Sequence, residues 1–176
     1  MIEPDTKDWT WVLTRPCPEC GLDARTIARE DVPAILRRNA AAWPEALAES
    51  AGTRTQPDRW SPLEYACHVR DVHRVYTARL HLMTTQDDPH YPNWDQDATA
   101  VEQRYGEQAP ATVVRELIAA AEVLAIAFEQ VRDWNRTGTR GDGARFTIET
   151  FARYLVHDPV HHLWDVTGTR AEQGAG

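Results

Sequence analysis

Residues 60–64, Trp60-Ser61-Pro62-Leu63-Glu64, contain the clearest helix start in the chain, and His68 follows four residues later. The segment combines an N-cap serine, a proline at the first helical position and a glutamate three residues after the cap, which together form a capping box. The helix is predicted to run to about Met83. Because His68 shares its face with Tyr65 and Val72, it is predicted to point into the protein interior.

Three more long helices are predicted around this one. Apolar residues recur at helical spacing in residues 31–47, 110–133 and 147–166. A turn-rich stretch over 137–143 precedes the last helix as a short loop or hairpin, and residues 86–96 are expected to form a polar loop. The sequence therefore predicts an all-α protein, an up-down four-helix bundle with an irregular N-terminal segment.

This pattern divides the chain into three parts. Residues 1–29 form an irregular, proline-bearing N-terminal segment with a Cys-x-x-Cys pair, residues 30–168 form the bundle, and residues 169–176 form a frayed tail. Trp9 and Trp11 are expected to anchor the N-terminal segment on the bundle, since indole rings bury large apolar surfaces. A length of 176 residues agrees with a single domain.

The composition restricts the partners and the location of the protein. The chain has 19 Lys+Arg against 27 Asp+Glu and a net charge of -8, which disfavours nucleic-acid binding. It has no uninterrupted apolar stretch of membrane-spanning length, and its N-terminus lacks the basic-then-apolar order of a signal peptide. We therefore expect a cytoplasmic protein that does not bind nucleic acid. A homodimer stays open, because apolar helix faces in such bundles often pair.

The N-terminal cysteines have the spacing of a zinc knuckle. Cys17 and Cys20 are separated by two residues and followed by Gly21. A four-ligand zinc site would need further ligands from elsewhere in the chain. Three alternatives stay open: an ordinary turn with buried or free thiols, a metal-binding or redox-sensitive clip, and a direct role near the active site. The odd cysteine count, with Cys67 as the third, argues against a disulfide framework.

Two histidines on the predicted last helix have the spacing of metal ligands. His157 and His161 are four residues apart, so they project from one helix face and can hold one ion, although such pairs also occur by chance. His68 is predicted to supply a third imidazole from the second helix. Three protein ligands would leave positions open for water or substrate, which suits catalysis. His162 is rotated by about 100° from His161 and is expected to be the poorer ligand.

The order and spacing of these motifs resemble the DinB-like superfamily of metal-binding four-helix bundles over roughly residues 30–168. The resemblance rests on the Trp-capping box opening at residues 60–64 with His68 and on the late His-x-x-x-His motif. It implies that His68, His157 and His161 bind a divalent ion such as zinc or nickel.

Further features resemble an actinobacterial branch of that superfamily. They are the N-terminal cysteine pair, the Asp142-Gly143 turn, the His157-Asp158-Pro159 sequence and a composition rich in arginine, with Lys7 as the only lysine. In such a branch the resemblance implies mycothiol, a low-molecular-weight thiol, as a cofactor or co-substrate.

The resemblance favours a metal-dependent S-transferase or isomerase that uses a low-molecular-weight thiol. A cation lowers the pKa of a bound thiol, and the thiolate can then attack a small electrophile at neutral pH. One alternative is a metal-dependent hydrolase, although no carboxylate stands at a diagnostic spacing for a general base. The other is a non-enzymatic protein that binds metal or ligand in a stress response.

Four more side chains are candidates for roles around the ion. Asp71 and Asp165 each follow a proposed ligand by about one helical turn, so each is a candidate to accept a hydrogen bond from an imidazole and fix its tautomer. Either carboxylate could instead be solvated or cap a helix. Tyr154 and Trp164 lie near the face of the histidine pair and are candidates to line a cavity, with core packing as the alternative.

Overall fold

The computed structural model describes residues 8–48 and 51–171. These residues form five α-helices and three short strands. The helices are α1 (Val32–Ala46), α2 (Pro62–Thr85), α3 (Gln96–Glu102), α4 (Pro110–Glu129) and α5 (Ile148–Thr167). In this described part of the chain, no helix has the length and apolar character needed to cross a membrane.

Helices α2 and α5 have ends that are fixed by their own residues. At the start of α2, the Ser61 hydroxyl accepts from the Glu64 N–H, and the Glu64 carboxylate accepts from the Ser61 N–H at 2.8 Å. Thr147 and Thr150 make the equivalent pair of bonds at the start of α5. These boxes satisfy backbone N–H groups that a helix start leaves without partners. Gly168 ends α5 in a left-handed conformation, with φ of 69°.

Four of the helices form a bundle, as predicted. Both α4 and α5 pack against α1 and against α2, so α1 and α2 lie on opposite sides of the bundle. Apolar side chains fill the space between them in two groups, whose burial supplies the main driving force for this packing. The first group includes Leu36, Val72, Leu80, Phe128, Phe151 and Leu155. The second includes Trp43, Leu63, Cys67, Tyr105 and Leu117.

A small three-stranded sheet precedes α5. Strands β2 (Thr137–Arg140) and β3 (Arg145–Thr147) form the expected hairpin, and β1 (His90–Tyr91) pairs with β2 in parallel. Gly138 lets β2 approach α2 closely, because a Cβ at this position would lie 2.8 Å from Met83 Cγ. Strand β3 continues directly into α5, so the sheet lies at the N-terminal end of that helix.

The N-terminal segment contains three short 3₁₀ turns, Trp9–Leu13, Ala24–Thr26 and Arg29–Asp31, each of which contacts α5. The division of the chain into 1–29, 30–168 and 169–176 stays a prediction. Residues 1–7 of the first part and residues 172–176 of the predicted tail lie outside the described residues.

Candidate metal centre

Two pairs of side chains with four-residue spacing overlap on α5. His157 and His161 form one pair, and Asp158 and His162 form the other, one residue further along. A step of one residue turns a side chain by about 100° around the helix axis, so the two pairs project from different faces. Each pair meets different partners from outside α5.

The first group consists of Cys17, Cys20, His157 and His161, and all four side chains are buried. Each residue offers one potential ligand atom, and these atoms all lie within 4.8 Å of one another. The Cys17 Sγ and His161 Nδ1 atoms are 3.6 Å apart. Burial lowers the pKa of His157 to about 4, so its imidazole is neutral at neutral pH, as metal binding requires.

The backbone around these cysteines folds into a tight turn against α5. The Cys17 N–H donates to the Leu22 carbonyl at 2.8 Å, and the Gly21 N–H donates to the Cys17 carbonyl at 3.0 Å. Gly21 has a φ of 82°, which glycine adopts without strain. The Cys20 carbonyl accepts a hydrogen bond from the N–H of Ala171, which follows α5 in the chain. Residues before and after α5 in the sequence therefore hold the turn in place.

The second group consists of His68 from α2 and of Asp158 and His162 from α5. Asp158 Oδ1 lies 3.4 Å from His68 Nε2 and 3.9 Å from His162 Nε2. Burial alone would raise the pKa of Asp158, but the two neighbouring imidazoles outweigh burial and hold that pKa well below its usual value. Asp158 is therefore a carboxylate that can coordinate a cation.

Neighbouring side chains hold the imidazoles of the second group in position. Asp165 Oδ2 accepts a hydrogen bond from His162 Nδ1 at 2.9 Å, which leaves His162 Nε2 on the side of Asp158. Trp94 stacks on His68 with ring centroids 5.4 Å apart, and Trp60 packs on the same ring at 5.2 Å. The orientation of both imidazoles is thus set by contacts that need no ion.

A cavity of about 560 Å³ opens beside the two groups. Its wall includes Asp158 and His162 from the second group and the edges of His157 and His161 from the first. Most of the remaining lining consists of aromatic and charged side chains. The residues are Trp9, Tyr76, Arg79, Trp94, Asp95, Asp97, Arg140, Asp142 and Tyr154. This volume suits a small molecule.

The structure distributes the three predicted histidine ligands over two groups. His157 and His161 lie with the N-terminal cysteines, whereas His68 lies with Asp158 and His162. The predicted three-imidazole site stays a prediction, and the geometry favours the two separate groups. The cause is the packing of α2, which brings His68 to the face of α5 next to the one that carries the predicted pair.

The other predicted residues have varied surroundings. Asp165 contacts His162 as described, and Tyr154 lines the cavity, where its hydroxyl accepts from Arg140 at 3.0 Å. Trp164 packs on His161 with ring centroids 5.2 Å apart. Trp164 is therefore placed beside the first group.

Asp71 belongs to a buried polar network around α2. Its carboxylate accepts two bonds from Arg70, at 2.9 and 3.0 Å, one from the Tyr105 hydroxyl at 2.7 Å and one from Arg74 at 3.0 Å. Burial opposes ionisation of Asp71, but these donors outweigh it and lower its pKa. Asp71 therefore connects α2 to the turn that contains Tyr105.

Asp158 was not among the candidate ligands predicted from the sequence, and His162 was expected to be the poorer ligand. The available signal was the four-residue spacing between them, which equals the spacing of His157 and His161. The spacing alone could not show which pair faces α2.

The donors in both groups fit divalent cations. Asp158 Oδ1 and His157 Nε2 are buried and have no hydrogen-bond partner among the described residues. Buried polar atoms normally have partners, and a cation would supply one for each. Two sulfurs with two imidazoles suit zinc, whereas two imidazoles with a carboxylate accept several divalent ions, zinc and nickel among them.

The fold and motifs match known proteins. Residues 35–166 match the sequence profile of the DinB superfamily. The structure of YfiT from Bacillus subtilis is similar, with a TM-score of 0.74 and 17% sequence identity over 81% of this chain and 87% of that chain. YfiT is described as a probable metal-dependent hydrolase with an unusual four-helix bundle topology. No curated protein matches the chain significantly.

Proposed function

The chain belongs to the DinB superfamily, and from that membership we propose that it is a divalent-metal-dependent enzyme whose ion is held by His68, Asp158 and His162. The observation that carries the proposal is the meeting of these three side chains at the cavity, of which Asp158 and His162 form part of the wall. Three protein ligands leave coordination positions open, which is the arrangement of catalytic sites.

The reaction that we favour is transfer of a low-molecular-weight thiol, such as mycothiol, to a small electrophile, or an isomerisation that uses the thiol. When bound, a divalent ion lowers the pKa of a coordinated thiol and so supplies a thiolate at neutral pH. In the transfer, the sulfur forms a bond to carbon, the leaving group departs with its electron pair, and the thiol proton passes to solvent.

Two of the carboxylates that line the cavity already have partners, which favours a thiol over water as the nucleophile. A thiol that ionises on binding needs no general base, whereas water activation usually relies on one. Asp95 caps α3 by accepting from the Ala98 N–H at 2.9 Å, and Asp142 pairs with Arg140 at 2.8 Å. These two carboxylates are therefore engaged elsewhere.

The surroundings of Arg79 favour a substrate that carries an anionic group. Its side chain is 7% exposed, lines the cavity and donates to the Pro92 carbonyl at 2.9 Å. Among the described residues, no carboxylate pairs with Arg79. A buried cation without a counter-ion is costly, and an anionic substrate would offset this cost.

A thiol-conjugation assay tests the proposal. Metal-loaded protein is incubated with mycothiol and a panel of electrophiles that includes matched pairs of a free acid and its methyl ester. We expect thiol-dependent product, with a preference for the acid that Arg79→Met removes. Absence of product across the panel, together with no mycothiol binding by calorimetry, would contradict thiol transfer.

Ligand variants separate the two possible metal sets. If His68, Asp158 and His162 hold the catalytic ion, Asp158→Asn abolishes activity. If the three-imidazole set holds it, Asp158→Asn stays active and His157→Ala is inactive. Metal content measured on the same samples shows whether each loss of activity follows loss of an ion.

Metal-dependent hydrolysis is the second candidate function. It is favoured by the description of YfiT as a probable metal-dependent hydrolase and by the ligand set, because two imidazoles and one carboxylate also occur in zinc sites that activate water. Product formation without added thiol would identify this function. A ligand that binds and is recovered unchanged would instead indicate a non-enzymatic binding protein.

A further inference from the structure

We propose that Cys17, Cys20, His157 and His161 bind a second ion, a structural zinc, that fastens the N-terminal segment to α5. This site is distinct from the proposed catalytic site and does not depend on the function assigned there.

The donor set and its spacing are those of a zinc site. Two thiols separated by two residues and two imidazoles separated by three form a complete Cys₂His₂ set. Tetrahedral zinc with bonds of about 2.3 Å to sulfur and about 2.0 Å to nitrogen places its ligand atoms about 3.3–3.8 Å apart. The four atoms lie within 4.8 Å of one another, and one pair is already at 3.6 Å. Small side-chain rotations therefore complete the site.

The main chain prepares the cysteines for this role. The hydrogen bonds from Cys17 to Leu22 and from Gly21 to Cys17 close the turn that presents both thiols to α5. Arg170, beyond the end of α5, donates to the Pro18 carbonyl at 2.9 Å and covers Gly21, where a Cβ would lie 3.1 Å from its Nε. A residue that follows α5 in the chain therefore helps to hold the cysteine turn in place.

Burial distinguishes this group from a redox-active pair. Cys17 and Cys20 are 1% and 0% exposed, and both are free thiols. Thiol–disulfide exchange requires access for an attacking thiolate. Zinc binding releases the two thiol protons to solvent and leaves no external partner in the site.

Four protein ligands also distinguish this site from the catalytic one. They fill a tetrahedral coordination shell, so no position remains for a substrate. Trp9 packs over both histidines of the group, with ring centroids 5.4 Å from each. The result is a closed site that joins two segments far apart in sequence.

Metal analysis with a matched cysteine control tests the proposal. Cys20→Ser should bind one ion per chain fewer than wild type, and Cys67→Ser should bind as many as wild type, which is two per chain when the catalytic site is also filled. Cys67 is the control because it is also a buried thiol, but it contacts the Tyr105 carbonyl outside the group. Equal zinc content in wild type and Cys20→Ser would overturn the proposal.

Cobalt substitution tests the site without relying on a variant that folds. Cobalt-loaded wild type should show thiolate-to-cobalt charge-transfer absorption and the intense visible bands of a tetrahedral site. Asp158→Asn should keep these bands, because it removes only the proposed catalytic ligand. Cobalt-loaded wild type without charge-transfer absorption would overturn the structural site while leaving the catalytic proposal intact.

Limited proteolysis tests the fastening role. Arg25 is exposed in the N-terminal segment, so trypsin can cleave after it when this segment is released. We expect chelation of zinc to accelerate this cleavage in wild type and Cys67→Ser, while Cys20→Ser is cleaved rapidly with or without chelator. If chelation leaves the rate of tryptic cleavage of wild type unchanged, the zinc does not fasten the N-terminal segment to α5.

Discussion

At the scale of single residues, a step of one position on α5 separates the two proposed ions. His157 and His161 meet the sulfur ligands of the N-terminal segment, whereas Asp158 and His162 meet His68 and the cavity. Thiolates select zinc, and a mixed nitrogen and oxygen set accepts several divalent ions. The element that packs on each face therefore decides the metal chemistry of that face.

The contact between Asp165 and His162 leads to the first prediction. In Asp165→Asn the side chain is a weaker acceptor for the hydrogen bond from His162 Nδ1. The imidazole therefore loses part of its basicity and its fixed orientation. We expect affinity for the catalytic ion to fall by about 10–100-fold, measured by competition with a chelator. Asp133→Asn, on the exposed loop after α4, is the control and should bind as wild type does. Equal affinities for all three proteins would refute the role of Asp165.

His73 gives a prediction about pH. The side chain is fully buried in α2, and burial lowers its pKa to about 4, whereas an unfolded histidine titrates near 6.5. The unfolded state therefore takes up a proton first as the pH falls, and stability is lost from about pH 6.5 down to about pH 4. Between pH 7 and pH 5 this group should account for a loss of about 2 kcal/mol in the free energy of unfolding.

Urea denaturation of His73→Leu measures this contribution. Between pH 7 and pH 5 the variant should lose about 2 kcal/mol less than wild type under the same metal conditions. His81→Leu replaces an exposed histidine of the same helix and should follow wild type. If His73→Leu shows the same pH dependence as wild type, the neutral state of buried His73 is not the cause.

The sequence identified histidines as candidate metal ligands but not how the structure groups them. The rotation of His162 away from His161 was derived correctly from helix geometry, but it directs His162 towards His68. Which face of α5 meets α2 depends on the packing of the whole bundle, and a single helix repeat does not encode that packing. For the same reason the sequence could not show which side chains lie beside Cys17 and Cys20.

At the scale of elements, structure was predictable where local residues determine it. The start of α2 agrees with the predicted capping box, and α5 at Ile148–Thr167 lies within one residue of the predicted range 147–166. Helix α4 ends at Glu129, before the expected end near residue 133. Strand β1 was not predicted, because its two residues form a strand only through pairing with β2, about fifty residues later in the chain.

The end of α5 provides a prediction on one helix cap. Gly168→Ala places a side chain on a backbone with φ of 69°, where no other atom lies within 4 Å of the new Cβ. Backbone strain alone should therefore destabilise this variant, and it should lower the free energy of unfolding by about 1 kcal/mol. Gly52→Ala also enters open space, but at an ordinary φ. Equal urea midpoints for the two variants would rule out the strain.

At the scale of the whole molecule, the two ions would act on one helix from two sides. The structural zinc would join α5 to the N-terminal segment, and the catalytic ion would join α5 to α2. Domains of this size are stable by only about 5–15 kcal/mol. Ions that bind only the folded chain would therefore supply a large fraction of its stability.

The dependence of stability on free zinc should report the number of ions. Above the dissociation constants, each tenfold rise in free zinc adds about 1.4 kcal/mol per ion to the free energy of unfolding. Wild type should therefore gain about 2.7 kcal/mol per decade, and Cys20→Ser or Asp158→Asn about 1.4 kcal/mol. Denaturation in zinc buffers measures these slopes. A wild-type slope of about 1.4 kcal/mol would mean that a single ion binds.

The overlap of two ligand pairs within residues 157–162 constrains how this sequence can evolve. Inserting or deleting one residue between 158 and 161 would break the four-residue spacing of both pairs and so damage both sites together. Substitutions should instead remove the ligands of one metal site together while those of the other site remain. A homologue that has lost Cys17 and Cys20 is released from selection at 157 and 161, yet it should still keep histidine at 68 and the acidic and histidine pair at 158 and 162. The two metal sites would thus be inherited in the same six residues and lost separately.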